Sequence, residues 1–484
     1  MEQPLAYLNR LTHHDWLIGY DSRGFHQKAT ELYLQLTQLS TPETSPKIIL
    51  AEREPVNFLA SFIAACAANC QVFLCNPDWG EQEWHQVFNL VQPDIILGLE
   101  TREGILRGRG AGGREQGENI LQTQHAAQLP LPLEAQLCPQ GFTALIMIPT
   151  GGSSGQVKFA IHTWETLTAS VQGFIEYFQI KQVNSYCVLP LYHVSGLMQF
   201  MRSFTTGGKL VIQPFKSLEL NQPSPINPRE FFISLVPTQL QRLLQNLELT
   251  TWLSQFNTVL LGGAPAWDEL LAKAKFHNIR LAPTYGMTET ASQIATLKPD
   301  DFLNGKINSG QILPHAQVTI CNQQGEILPT NHIGNITIQA QSLSLGYYPQ
   351  IVQNQNYFQV DDLGFLDEHG YLNIVGRNSD KIITGGENIY PIEIESAIRA
   401  TQMVADICVI GIPDKQWGQA LTAIYIPKDT NTSVSEIKTA ISHQLSRFKI
   451  PKHWIPLDTL PRNPQGKINR QQLQQIALLN TETK

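Results

Sequence analysis

Apolar and polar positions in the first hundred residues follow two different periods. Residues 27–39 carry apolar side chains at helical spacing. From Lys47, short apolar runs take turns with helical patterns: a strand over 48–51, a helix over 57–68, a strand over 71–75, a helix over 81–90 and a strand over 94–97. This βαβαβ order predicts a parallel sheet covered by helices on both faces. Residues 101–119 contain GILRGRGAGGREQG and no apolar period, and they read as an exposed insertion or a basic contact patch.

A second pattern begins at the apolar run 144–148, the length of a buried strand. It leads into Pro149, Thr150, Gly151, Gly152, Ser153, Ser154 and Gly155, with Lys158 close behind. A loop of this kind can turn backbone N–H groups inward and bring anionic oxygens close, so a polyphosphate is the ligand it suggests. It is not the mononucleotide P-loop: Gly151 and Gly155 are too close together, and Gln156 stands where that motif has Lys. The same residue types also make ordinary surface turns.

A helix is expected over 164–178 and a strand over 186–189. Leu197, Phe200, Met201 and Phe204 then share one helical face, with His193 and Ser195 at its mouth. Strands over 231–236, 258–261 and 280–284 run into the turns VPT, GGAP and YGMTET. Ligands in open α/β sheets collect beyond the carboxyl ends of strands, so these turns and the Gly-rich loop point to one shared site. From Val318 the texture becomes short β-rich runs, with a turn at 368–370. Residues 378–381 are polar and suit a linker. Beyond them come a helix over 391–400, strands over 406–412 and 421–427, and a helix over 434–446. A closing Pro/Gly-rich segment, LPRNPQGKINR, carries Lys467.

Composition narrows the class. With 42% hydrophobic and 15% charged residues, the chain reads as globular, and a net charge of −7 argues against bulk nucleic-acid binding. The charge is uneven: residues 378–484 carry a net +2 and the remainder −9, so an anionic ligand could sit between them. The start, MEQPLAYLNRL, lacks the basic and apolar regions of a signal peptide, and no apolar run is long enough to span a membrane. The seven cysteines are scattered, and the cluster Cys66, Cys70 and Cys75 has no His pair beside it, so packed thiols in a reducing cytoplasm are expected.

TGGSSGQVK, YGMTE, DDLG, GR, GGENIYPIEIE and PRNPQGKINR occur in this order. Together they resemble the adenylate-forming superfamily of acyl-CoA synthetases, carrier-protein adenylation domains and luciferases, over nearly the whole chain. PLYHVSGLMQFMRSF, SLVPTQLQRLL, LLGGAPA and PTYGMTETASQI look, more narrowly, like the 2-succinylbenzoate–CoA ligases of menaquinone and phylloquinone synthesis. The alternatives are another aryl- or acyl-CoA ligase, a carrier-protein adenylation enzyme and a non-catalytic nucleotide-binding relative. Intact Lys467, Glu289 and Asp362 speak against the last.

The resemblance implies an α/β fold: a large N-terminal domain, 1–377, with parallel helix-covered sheets plus a β-rich section, and a small mobile α+β C-terminal domain, 378–484. It implies ATP, Mg2+ and coenzyme A as the small molecules used, and it is compatible with a homodimer. By this likeness Thr150, Gly151, Gly152, Ser153, Ser154, Gly155 and Lys158 hold the β- and γ-phosphates. Glu289 ligates Mg2+ and Thr288 contacts the α-phosphate. Tyr285 stacks on adenine beside Gly262, Gly263 and Ala264, with Gly286 and Met287 adjoining. Asp362 accepts from the ribose hydroxyls, with Arg377 beside it. Lys467 bridges carboxylate and α-phosphate, and His193 joins it among the catalytic candidates. Ser195, Arg202, Ser234 and Gly286 line the acyl pocket. Ser379 is the hinge, and Gly385, Gly386 and Glu387 form the loop that serves the coenzyme A step. Three positions depart from the common pattern: Ser379 where many relatives have Asp or Lys, and Phe159 and Asp361 where Gly is common.

Overall fold

A computed structural model describes residues 3–12, 14–40, 45–99, 144–151, 156–352, 357–384, 387–414, 417–429, 432–462 and 467–481. The insertion read at 101–119, Gly152–Gly155 of the Gly-rich loop, and Gly385 and Gly386 lie outside the described residues.

The βαβαβ unit forms one end of a seven-stranded sheet, with Ile95–Leu97 as its edge strand. Lys47–Leu50 pairs in parallel with both Gln71–Leu74 and Ile95–Leu97. Leu145–Gly151 adds in parallel to Gln71–Leu74, and Val157–Thr163 folds back antiparallel to it. The helix between the first two strands, Pro55–Ala67, is apolar on nearly every side, and it is buried accordingly. It starts where Pro sits in the first turn and Glu54 accepts from the Asn57 N–H.

A second, eight-stranded sheet places Leu17–Ile18, Leu210–Ile212, Asn184–Cys187, Phe231–Leu235, Thr258–Leu261 and Leu281–Met287 side by side in parallel. Ser292–Thr296 and Gln311–Ile312 extend it antiparallel. The helices Trp164–Phe178 and Val194–Thr206 lie between the two sheets. Phe200 meets Phe62 edge-on at 6.1 Å and stacks on Phe204 at 5.0 Å. One hydrophobic cluster therefore contains Ile48 and Ile146 from the first sheet and Cys187 and Leu210 from the second.

A four-stranded antiparallel sheet follows: Ala316–Cys321, Gly334–Ala340, Phe358–Leu366 and Leu372–Arg377. The last sheet has five strands, Glu387–Ile389, Ile382–Thr384, Gly418–Pro427, Val404–Asp414 and His453–Pro456, with the helices Pro391–Ala400, Val434–Ile441 and Arg470–Thr481. Among the described residues, no buried hydrophobic cluster mixes side chains from before and after Arg377. Across that line the Arg399 guanidinium lies 5.6 Å from the Trp267 ring, and the Ser379 N–H donates to Asp361 Oδ1 at 3.2 Å.

Several boundaries differ from those read in the sequence, each for a local reason. The first long helix is Ser22–Leu39, because Asp21 caps it by accepting from the Arg23 N–H. The short helix Pro4–Arg10 went unread, since its seven residues carry too little periodicity. The helix expected over 434–446 ends at Ile441, with Ser442 as its cap. The strand expected at 280–284 continues to Met287, because Ser292–Thr296 pairs with it. Phe159 packs edge-on against Phe73 at 5.4 Å, where a Gly would leave that core unfilled.

Phe200→Ala removes the ring that joins the two sheets and should cost about 3–5 kcal/mol. It should appear as a lower thermal midpoint or loss of soluble protein. An unchanged midpoint would show that the sheets do not depend on this shared core.

Candidate active site

Strands and strand-end turns of three sheets, with the closing segment of the chain, supply the groups. In the hairpin of the first sheet, Thr150 pairs with Lys158 and Gly151 with Val157. Gln86 steadies the second strand by accepting from the Val157 N–H at 2.9 Å. Side chains on a strand alternate between faces, so Lys158 and His162 share one face. Lys158 is exposed, whereas His162 is buried and reaches the Thr288 carbonyl of the other sheet at 2.8 Å.

That carbonyl belongs to a tight turn, Thr288–Thr290, at the end of the strand Leu281–Met287. The pairing slips between Tyr285 and Gly286, and a Cβ on Gly286 would stand 2.1 Å from the Ser292 carbonyl oxygen. Only glycine fits there. Ala291 and Ser292 follow at φ 49° and 98°, a strained pair for residues with side chains. Thr290 locks the turn: its hydroxyl accepts from the Met287 N–H at 3.0 Å and lies 2.6 Å from the Ser292 carbonyl. The Glu289 carbonyl accepts from the Ser344 N–H at 2.8 Å, and its Oε1 accepts from the Tyr347 hydroxyl at 2.5 Å. Burial and the Glu289 charge push the Tyr347 phenol well up, so it remains a donor.

Asp362 lies on the third sheet with both oxygens engaged. Tyr285 donates to Oδ2 at 2.7 Å and Arg377 to Oδ1 at 3.1 Å. Burial, then Asp362, push the Tyr285 phenol far above its ordinary value. Lys467 reaches this group from the closing segment. Although the residue as a whole is exposed, desolvation at its ammonium, then the Arg377 charge, lower it, while Glu289 and Asp362 pull it back up. His193 holds the position before the helix Val194–Thr206, without a capping bond from its side chain. Burial, then the Lys467 charge, push its ring down to about 4, so it is neutral, and its Nε2 is buried without a partner. Lys467, Glu289, Asp362, Arg377 and His193 thus form one electrostatic neighbourhood.

The turn after Thr258–Leu261 closes the far edge. Gly263 takes φ 82°, open to glycine, and a Cβ on Gly262 would stand 2.4 Å from the Thr284 hydroxyl. Ser234 lies on the neighbouring strand in register with Leu260. Ser195 is exposed in the first turn of the helix that carries Arg202 two turns later. Arg202 is fully buried, 4.3 Å over the Phe174 ring, and donates to the Ser292 hydroxyl at 2.9 Å and to Gln293 Oε1 at 3.0 Å. Among the described residues its Nε has no partner and its side-chain bonds go to a hydroxyl and an amide, not to a carboxylate. Burial lowers it to about 9, which leaves it charged at neutral pH.

Ser379 is held by the residue that departs beside it. Its N–H donates to Asp361 Oδ1 at 3.2 Å, and its hydroxyl bonds the same carboxylate. Sequence reasoning missed His162, Tyr347, Ser292, Gln293 and this Asp361–Ser379 pair. Only His162 had a legible signal, its even spacing from Lys158 on one strand. For a metal, Glu289 is the one carboxylate in the turn, and no cluster of three ligating side chains occurs among the described residues. One carboxylate beside phosphate oxygens is a donor set that fits Mg2+.

Residues 35–348 match the family of AMP-binding enzymes, and residues 393–467 match the AMP-binding enzyme C-terminal domain. A 2-succinylbenzoate–CoA ligase of Bacillus anthracis is 33% identical over 340 residues, 69% of this chain and 70% of that protein. One from Listeria monocytogenes is 34% identical over 339 residues, again 69% and 70%. Among solved structures, the fold is shared with o-succinylbenzoate CoA synthetase from Bacillus subtilis, solved with the acyl-adenylate intermediate OSB-AMP. Its TM-score is 0.76 at 24% identity, over 98% of each chain. ATP-bound MatB from Rhodopseudomonas palustris gives 0.78 at 22%, also over 98% of each. This chain belongs to the family of AMP-binding enzymes, and it is an AMP-forming ligase that joins an acid to a thiol.

Proposed function

We propose that this chain is an ATP-dependent 2-succinylbenzoate–CoA ligase acting in menaquinone or phylloquinone synthesis. The observation that carries the reading is Lys467 among Glu289, Asp362 and Arg377, in a chain whose curated relatives bear that name. The reaction has two steps. A carboxylate oxygen of the acid attacks the α-phosphorus of ATP, and the bond to the β-phosphate oxygen breaks, which gives an acyl-adenylate and pyrophosphate. The thiol of coenzyme A then attacks the acyl carbon, AMP leaves with the electron pair, and the thiol proton passes to solvent. Little covalent chemistry falls to the protein, so positioning and charge do most of the work.

In this reading Thr150, Gly151, Lys158 and the loop they border hold the β- and γ-phosphates. Thr288 meets the α-phosphate, and Glu289 takes the Mg2+ that would draw charge from the triphosphate. Tyr285 lies under adenine beside Gly262–Ala264, with its hydroxyl fixed by Asp362, and Asp362 keeps lone pairs for the ribose. Lys467 links the acid's carboxylate to the α-phosphate. The two units divide at 377/378, a boundary supported by the separate hydrophobic clusters on either side. Ser379 is the pivot, and the loop with Gly385, Gly386 and Glu387 serves the second step. A cytoplasmic setting agrees with the six described cysteines, all free and buried, and with the lack of a helix apolar enough to cross a membrane among the described residues.

Arg202 supports the choice of acid. 2-Succinylbenzoate keeps a second carboxylate after activation, and a buried cation with no acidic partner is relieved by an anion. Its guanidinium suits a carboxylate because it can pair in bidentate fashion.

The reading is tested by coenzyme A ligation with 2-succinylbenzoate, benzoate, 4-coumarate and hexanoate. 2-Succinylbenzoate should be the best substrate, and a better rate with another acid would replace it. Lys467→Ala should slow adenylation by about 10²–10³, yet spare thioester formation from supplied acyl-adenylate. Equal losses in both steps would sink the two-orientation scheme. Arg202→Ala should raise KM for 2-succinylbenzoate by the equivalent of about 2–5 kcal/mol, with KM for ATP unchanged. A methyl ester at the non-reacting carboxylate should then lose little more on the variant. An ester penalty as large as in wild type would remove Arg202 from that role.

A further inference from the structure

His162 sits where the two large sheets meet. Its strand, Val157–Thr163, belongs to the seven-stranded sheet and carries Lys158 on the same face. Thr288 opens the turn at the end of Leu281–Met287, an inner strand of the eight-stranded sheet. The His162 ring is completely buried, with Nε2 2.8 Å from the Thr288 carbonyl oxygen and Nδ1 3.0 Å from the Thr166 hydroxyl. A carbonyl can only accept, so Nε2 carries the proton and Nδ1 accepts from Thr166. Burial pushes the ring down to about 4, which keeps it neutral and in this tautomer at ordinary pH.

The Thr288 carbonyl also accepts from the Ala291 N–H at 3.0 Å, the bond that closes the turn. Two residues at positive φ follow, so the turn persists only if its surroundings over-determine it. Backbone bonds from Ser344 to Glu289 and from Leu345 to Ile161 tie the same seam nearby, both at 2.8 Å. His162 is the side chain that spans directly from the phosphate hairpin to the residue facing the α-phosphate.

We propose that His162 is a positioning residue for adenylation: its Nε2–H holds the Thr288 turn at a set distance from the hairpin of Thr150 and Lys158. The proposal rests on the adenylating role given above. In-line displacement needs the α-phosphate and the departing pyrophosphate held in one alignment, and the two sets of contacts come from different sheets. A displacement of about 1 Å at such a site can cost on the order of 10²-fold in rate.

The test compares His162→Leu, which has no donor, with His162→Gln, whose side-chain N–H reaches a similar position. Acid-dependent exchange of pyrophosphate into ATP should fall by about 10–10²-fold in His162→Leu, mainly in kcat, with KM for the acid little changed. His162→Gln should recover most of the rate even if its thermal midpoint drops as far as that of His162→Leu. Thioester formation from supplied acyl-adenylate should stay close to wild type in both. Equal loss in the two variants, or a rate that follows the thermal midpoint, would overturn the proposal and leave His162 as packing. Amide hydrogen exchange at Ala291 gives a second reading without turnover. It should quicken in His162→Leu and not in His162→Gln, and unchanged exchange in His162→Leu would also overturn the proposal. Absence of exchange activity in the wild-type protein with every acid would instead defeat the ligase reading, and the amide measurement would still decide the role of His162.

Discussion

Everything in the site depends on a seam. The Gly-rich hairpin and the Thr288–Thr290 turn belong to different sheets, built from chain segments more than a hundred residues apart, and in the proposed reading one triphosphate touches both. The aromatic core around Phe62, Trp164 and Phe200 brings the sheets together in bulk. Hydrophobic contact is not directional, so it sets proximity and not alignment. Alignment comes from the few polar bonds across the seam, at Thr288, Glu289 and Ile161. The strain at Ala291 and Ser292 sits at the same place, where backbone regularity has been given up for a particular presentation of Thr288 and Glu289.

Charge is arranged with similar economy. Glu289 and Asp362 are each engaged by a tyrosine hydroxyl, which satisfies the carboxylate without neutralising it. Arg377 and Lys467 bring the positive charge, one from the body and one from the tail. His193 beside Lys467 is buried and neutral, so it adds no further cation to a place where two already repel. The weakly basic tail and the acidic body, visible as bulk charges, thus meet at this point.

Much of this was legible from residue order. Alternating apolar periods marked the parallel sheet, because buried strands and amphipathic helices leave different spacings. The glycines, Glu289, Asp362 and Lys467 stood out because their chemistry needs those residue types in motif form. Other features left no such trace. Tyr285–Met287 looked like a turn, because the strand that pairs with them lies beyond the turn, and pairing is a tertiary fact. Arg202 entered only through the resemblance, as an acyl-pocket residue, while its separation from any acid among the described residues depends on what folds around it. Asp361 and Ser379 appeared as two separate departures from the usual pattern, and only folding shows them bonded to each other.

That bond has a thermodynamic consequence. Asp361 and Asp362 are neighbours on one strand, and alternation turns Asp361 to Ser379 and Asp362 to Tyr285 and Arg377. A nucleotide that draws on Asp362 therefore acts on the same peptide that grips Ser379. If binding favours one orientation of the tail, that orientation must favour binding by the same factor, since the coupling between two sites is reciprocal. In the proposed reading, with Asp362 on the ribose and Ser379 as the pivot, this pair of adjacent aspartates joins nucleotide occupancy and domain orientation in a single equilibrium.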